Sequence, residues 1–213
     1  DLMFALPGQN PRGWQANLEQ AIALRPEHLS LYCLTIEPNT RFYRHFLRGT
    51  LELPDEDAQV AMYDQAIGSM EAAGYRQYEI SNFARLGREC AHNLCYWRAE
   101  EYLGYGPGAV GCVFEGERRH RTTKMKHPER YCEAVETGGN LICEEEWLDD
   151  EADRLERVML GIRLNEGLPT SVPHEPKGRE ECVQRGWIER RGERLCLTPT
   201  GRHFASEVAT LLA

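Results

Sequence analysis

The sequence predicts an α/β protein with a parallel sheet, followed by a small α+β, winged-helix-like module. Three observations predict it. The first eighty residues read strand, helix, strand, helix, strand, an alternation that favours right-handed βαβ crossovers. One of those strand-length runs, His28 to Glu37 (HLSLYCLTIE), is nearly continuous in apolar residues, as suits a strand covered on both faces. Beyond residue 150 the order changes to helix, helix, hairpin, helix.

Leu2 to Leu6 reads as a short buried strand ended by Pro7-Gly8. The chain begins at Asp1 rather than Met and runs directly into this strand, so the expectation is a C-terminal part of a longer protein. A helix follows from about Pro11, with proline in its first turn and Trp14, Leu18 and Ile22 as its apolar stripe. Pro26 closes it. After the His28–Glu37 strand an irregular stretch is expected as far as Pro54. Asp55 starts a second helix with Val60, Tyr63, Ile67 and Met70 on one face and Gly74 at its end. Tyr75 to Ile80 (YRQYEI) is again strand-like. In such sheets ligands gather beyond the carboxyl ends of the strands, here Leu6–Gln9, Thr35–Pro38 and Ser81–Ala84.

Residues 85–125 are irregular and rich in glycine and aromatics, with a hairpin expected from Val113 to Thr123 around Glu115-Gly116-Glu117. Gly138-Gly139-Asn140 marks the expected domain change, dividing the chain into 1–138 and 139–213. Leu155, Val158, Met159 and Ile162 mark an amphipathic helix, and Arg179 to Arg185 a short one. A hairpin joins Ile188–Arg190 to Arg194–Leu197 near Gly192. Thr198 as N-cap, with Pro199 next, begins the last helix.

The chain has 213 residues, 25 of them basic and 34 acidic, for a net charge of −9. That balance repels phosphate backbones and argues against nucleic acid as a partner. The module at 141–213, with 15 acidic and 10 basic residues, is expected to pack or to meet a protein rather than read DNA. No apolar run approaches the ~18 residues of a membrane span, leaving at most peripheral membrane association. There are eight cysteines and no CxxC. They read as buried, reduced thiols in a cytoplasmic protein.

Three segments stand out as chemistry. Gly104, Gly106, Gly108 and Gly111 lack the Lys-Ser/Thr ending of a phosphate loop. They either let backbone approach a flat ligand or make a tight connection. Residues 118–130 hold six Lys/Arg against Glu129 alone, either a solvated hairpin edge or a seat for carboxylates. Cys90 to Trp97 (CAHNLCYW) places a histidine beside an amide and an aromatic pair. His92 there is either an axial nitrogen for a macrocycle's iron or a satisfied histidine in an aromatic minicore. No nucleophile elbow and no HExxH occurs.

The blocks DLMFALPGQNPRGWQANLEQAI, LSLYCLTIEPNTRF, LPDEDAQVAMYDQAIGSMEAAGYRQYEISNFAR, HNLCYW and YLGYGPGA together resemble the HemW proteins. These are radical-SAM proteins related to HemN, the oxygen-independent coproporphyrinogen III oxidase. The resemblance runs from Asp1 to about Tyr131 and resumes more weakly at RLNEGL and LCLTPTGR. It implies the C-terminal part of a radical-SAM (β/α)6 partial barrel followed by a HemN-type C-terminal domain. It also implies S-adenosyl-L-methionine and a [4Fe–4S] cluster as cofactors, although the family's CxxxCxxC ligand motif is absent from this chain.

His92-Asn93-Leu94-Cys95-Tyr96-Trp97 fits the HNxxYW motif associated in HemW-like proteins with haem. The resemblance thus makes His92, Asn93, Tyr96 and Trp97 haem contacts, with His92 facing the haem iron. Asp1 matches a family aspartate that contacts S-adenosylmethionine, and Val110 aligns with another such position. Val110 also stands where many HemW proteins have the histidine of GPGAHG, so this chain lacks that imidazole. The implied function is a haem chaperone that holds haem, or a related porphyrin, and passes it to recipient haem proteins. The alternative is coproporphyrinogen III oxidation, with the basic stretch 118–130 meeting propionates.

Overall fold

Two strands and the helix between them frame the first ninety residues. Strands β1 (Leu2–Phe4) and β2 (His28–Cys33) pair in parallel, with Leu2 opposite Leu31 and Phe4 opposite Cys33. Helix α1 (Pro11–Ala23) connects them, as predicted. Its start is fixed by Asn10, whose side chain accepts from the Gly13 N–H at 2.9 Å. Trp14 and Leu18 are fully buried, and the Trp14 indole donates to the Met62 carbonyl at 2.9 Å. The computed structural model describes residues 1–213, which divide into two units, Asp1–Cys90 and Ala91–Ala213.

Three expectations for the first unit change. The irregular stretch before Pro54 contains a helix, α2 (Arg41–Leu47), capped by Thr40, which accepts from the Tyr43 N–H at 3.1 Å. None of its side chains is buried, so no apolar period announces it. Helix α3 (Glu56–Ala72) begins at Asp55 as expected, but its core stripe is Met62, Ala66 and Met70. Val60 is 41% exposed, while Tyr63 and Ile67 flank the core. The small Ala66 lets α3 pack closely on α1, which favours this rotation of the helix. Finally, the YRQYEI segment forms only the short strand β3 (Arg76–Gln77) before the chain turns into β4 (Asn82–Ala84).

Strand β4 pairs antiparallel to both β2 and β3, giving the order β1-β2-β4-β3. Strand β3 therefore runs parallel to β1 and β2, as predicted, but with an antiparallel strand between. The far end of β2 is also uncovered, Tyr32 being 40% exposed. Phe4, Trp14, Leu18, Leu29, Leu31, Met62, Met70, Tyr75 and Phe83 make the core of this unit, each large side chain contributing roughly 1.5–3 kcal/mol by burial.

The second unit opens with a seven-residue helix, α4 (Ala91–Trp97). A three-stranded meander follows, built of β5 (Val110–Glu115), β6 (Arg118–Lys124) and β7 (Ile142–Trp147), with helix α5 (Pro128–Thr137) between β6 and β7. Glu115 faces Arg118 across a two-residue turn, so the predicted hairpin is present and starts three residues earlier. The sheet continues across Gly138-Gly139, the point at which the sequence reading divides the chain.

Helix α6 (Asp150–Gly161) carries Asp150, Glu151 and Asp153 in its first turn, where carboxylates complement the helix dipole. Val158 and Ile162 are buried. Beyond it lie β8 (Leu168–Pro169), α7 (Pro176–Gln184), β9 (Ile188–Arg191) and β10 (Arg194–Leu197), with sheet order β8-β10-β9. The last helix is split into α8 (Pro199–Arg202) and α9 (Ala205–Leu212). The break falls at Phe204, which stacks on Trp187 with centroids 4.5 Å apart. A Cβ at Gly201 would lie 1.8 Å from the Trp187 carbonyl oxygen, so only glycine fits this crossing.

No helix is long and apolar enough to cross a membrane. All eight cysteines are free thiols, but only Cys112, Cys182 and Cys196 are buried; Cys33, Cys132 and Cys143 are exposed. The buried-thiol expectation thus fails for five of them: Cys33 and Cys143 lie at strand ends and Cys132 on α5, all facing solvent, while Cys90, before α4, and Cys95, on it, are partly exposed.

Candidate functional site

Helix α4 carries the HNLCYW segment in two turns, and its 3.6-residue period sorts the motif onto two faces. His92 and Tyr96, four apart, lie together, with ring centroids 4.8 Å apart and planes at 81°. Tyr96 in turn meets Tyr102 edge-on at 4.4 Å. His92 is exposed, and its ring nitrogens make no hydrogen bond within the protein. Asn93 and Trp97 form the neighbouring row. Trp97 lines a cleft of about 360 Å³ with Arg98, Arg157, Leu164, Leu168 and Arg194. Of the four predicted haem contacts, then, His92 and Tyr96 share one aromatic run, and Trp97 belongs to a second surface.

The end of α4 fixes this arrangement. Ala99 has a φ of 53° and is buried. Its N–H donates to the Tyr96 carbonyl at 3.0 Å, and the Glu100 N–H to the Cys95 carbonyl at 2.8 Å. This paired closure is the one usually made with glycine in the left-handed position. The cleft side is pinned by Arg98, which donates to both carboxylate oxygens of Glu166, at 3.0 and 3.1 Å.

The glycine-rich segment is a tight connection. A Cβ at Gly104 would lie 2.4 Å from the Val110 carbonyl oxygen, and one at Gly111 3.1 Å from the Gly104 nitrogen. The backbone crosses itself here, with Tyr102 and Cys112 bonded in both directions at 2.8 and 2.9 Å. Val110 opens β5 opposite Thr123 and is exposed. Tyr105 stands 80% exposed on the loop, with the Lys124 ammonium 5.3 Å from its ring centre, a cation–π distance. Asp1, in the first unit, is exposed and precedes β1.

The basic stretch is divided by strand alternation. Arg119 and Arg121 share a face of β6 turned towards α6. Arg119 is 2% exposed, donates to Asp153, and donates to Glu156 at 3.2 Å. Arg121 pairs with Glu156, and with Glu146 at 2.7 Å. Burial alone would weaken the Arg119 charge. The hydrogen bond to Asp153 and the fields of Glu156 and Asp153 outweigh it and push the pKa up. These two arginines are consumed inside the protein. Sequence reasoning missed the network because its acidic half lies some 30 residues downstream.

The chain contains no CxxxCxxC, and no group of three or more His, Cys, Asp or Glu side chains is arranged to hold a metal ion. The residues present do not fit an iron–sulfur cluster.

The architecture is that of the radical-SAM proteins of the HemN kind. It superposes on coproporphyrinogen III oxidase HemN from Escherichia coli with a TM-score of 0.76, over 99% of this chain and 53% of that one, at 17% identity. At that identity the likeness shows the fold alone. No protein-family model matches the chain. In sequence it is 34% identical over 218 residues to the heme chaperone HemW of Bacillus subtilis, covering 98% of this chain and 56% of the relative. To the heme chaperone HemW of Mycobacterium tuberculosis H37Rv it is 33% identical over 214 residues, covering 100% and 54%. The Escherichia coli K12 protein of the same name is 48% identical over 129 residues, 60% of this chain and 33% of that one. In sequence the chain is thus similar to the HemW proteins along nearly its whole length, and it spans about half the length of the curated relatives it matches.

Proposed function

We propose that this chain is the haem-holding part of a haem chaperone of the radical-SAM superfamily, which binds haem and delivers it to recipient haem proteins in the cytoplasm. One observation carries the reading. His92 offers an exposed imidazole with no competing hydrogen bond, backed edge-on by Tyr96. A neutral imidazole nitrogen is a ligand for haem iron, and the aromatic backing supplies apolar surface for a macrocycle. With Arg119 and Arg121 paired, Arg118, Lys124, Lys126 and Arg130 are the cations of the 118–130 stretch left to meet propionates. In the whole protein, Asp1 and Val110 are the candidate contacts to S-adenosylmethionine, with the [4Fe–4S] cluster held by a CxxxCxxC that these residues do not include. Coproporphyrinogen III oxidation, the alternative for the same fold, draws on the basic stretch, and Arg119 and Arg121 are withdrawn from it by their carboxylates.

Ferric haem titrated into wild type and His92→Ala tests the reading. Wild type is expected to shift the Soret band on binding, and His92→Ala to bind more weakly with a different band position. Identical titrations would remove His92 from the proposal.

A further inference from the structure

An exposed histidine in the first turn of a short helix has several rotamers open to it, so something must select the one that faces a ligand. Tyr96 meets the imidazole edge-on, but Tyr96 is itself 37% exposed. Its other edge is held by Tyr102. Tyr102 has little freedom. Both of its backbone groups are bonded to Cys112, its side chain is half-buried, and its phenol faces Arg121. Arg121 is held by Glu146 from β7 and Glu156 from α6. The reversal at Ala99 is what returns the chain beneath Tyr96 within three residues.

We propose that Tyr102 is a positioning residue for His92: it fixes Tyr96, which fixes the imidazole, and Arg121 anchors the run to helix α6. The inference rests on His92 as the haem contact. It assigns to the second unit an ordered chain of side chains, His92–Tyr96–Tyr102–Arg121–Glu156, that starts at the proposed iron ligand and ends in a partly buried ion-pair network.

The test is ferric haem titration of the purified protein as wild type, His92→Ala, Tyr102→Leu and Tyr102→Phe. Soret position and the low-spin electron paramagnetic resonance signal are read alongside affinity, and folding is checked by circular dichroism. Tyr102→Leu is expected to weaken haem about 3- to 10-fold, the worth of one lost aromatic pair, and to replace a single low-spin signal with a mixture. Tyr102→Phe keeps the ring and should restore both readouts. If Tyr102→Leu does not fold, Tyr102→Ile, a β-branched residue suited to the extended bridge, takes its place. A leucine or isoleucine variant with wild-type signal and affinity overturns the positioning role. A His92→Ala protein indistinguishable from wild type overturns instead the haem-contact reading on which it rests.

Discussion

Replacing Arg119 by methionine, similar in length but uncharged, asks whether the basic stretch serves the fold or a ligand. Arg119 is 2% exposed and bonds Asp153 and Glu156, each 27% exposed. Breaking a buried pair by removing one partner typically costs about 3–5 kcal/mol, because the other charge is stranded. Here neither carboxylate is stranded fully. Asp153 keeps Arg157 at 2.5 Å, and Glu156 keeps Arg121. The expected loss is therefore about 2–3 kcal/mol, below the fully buried case. At roughly 2–4 °C per kcal/mol for a chain of this size, the melting temperature should fall by about 4–12 °C. Urea unfolding with Arg118→Gln as reference is the assay. Arg118 is exposed and unpaired and should stay within about 0.5 kcal/mol of wild type. Because the network is sheltered, molar salt should change the Arg119 loss little. An Arg119→Met protein as stable as wild type, but weaker for haem, would refute this reasoning and return the arginine to ligand binding.

Three further substitutions probe the packing and the buried charge. Glu79 is buried, and desolvation raises its pKa against the partial relief of hydrogen bonds from Asn82 and the Ser81 N–H. At acid pH it is protonated in both folded and unfolded chains and costs nothing. As pH rises past the ordinary carboxylate range, the unfolded chain ionises first and stability falls. Glu79→Gln should be more stable than wild type at pH 7, with the gap closing towards pH 4; an offset independent of pH in thermal unfolding would contradict this. For glycine, Gly201→Ala drives a Cβ into the Trp187 carbonyl and is expected to cost more than about 3 kcal/mol. Gly68→Ala, on an open face of α3 with nothing within 4 Å, should add about 0.5–1 kcal/mol. Equal effects in urea unfolding would show that the crossing at Gly201 is not close.

What could be read from the sequence was what local chemistry decides. The β5–β6 hairpin turns on Gly116 and a two-residue loop, and Thr198-Pro199 starts α8, as their residue types require. Strand β4 was not legible, because the turn before it is made by buried side chains, Glu79 and Asn82, rather than by a glycine or proline signal. Helices α2 and α4 bury no side chain, so neither leaves an apolar period. In the candidate site, resemblance singled out His92 and Tyr96. Their partner Tyr102 depends on an alanine in the left-handed conformation, a position the sequence would assign to glycine or asparagine.

Helix α4 also changes what a six-residue motif means. Letters adjacent in the sequence are dealt to separate surfaces, so HNLCYW is one helix serving two clients. The side carrying His92 and Tyr96 can be rebuilt while Trp97 and Arg98 keep their cleft, and the cleft can be altered while the aromatic run stands. A scan of single substitutions along the motif should accordingly fall into two groups, alternating with the helical turn, whose effects combine additively across groups and not within them.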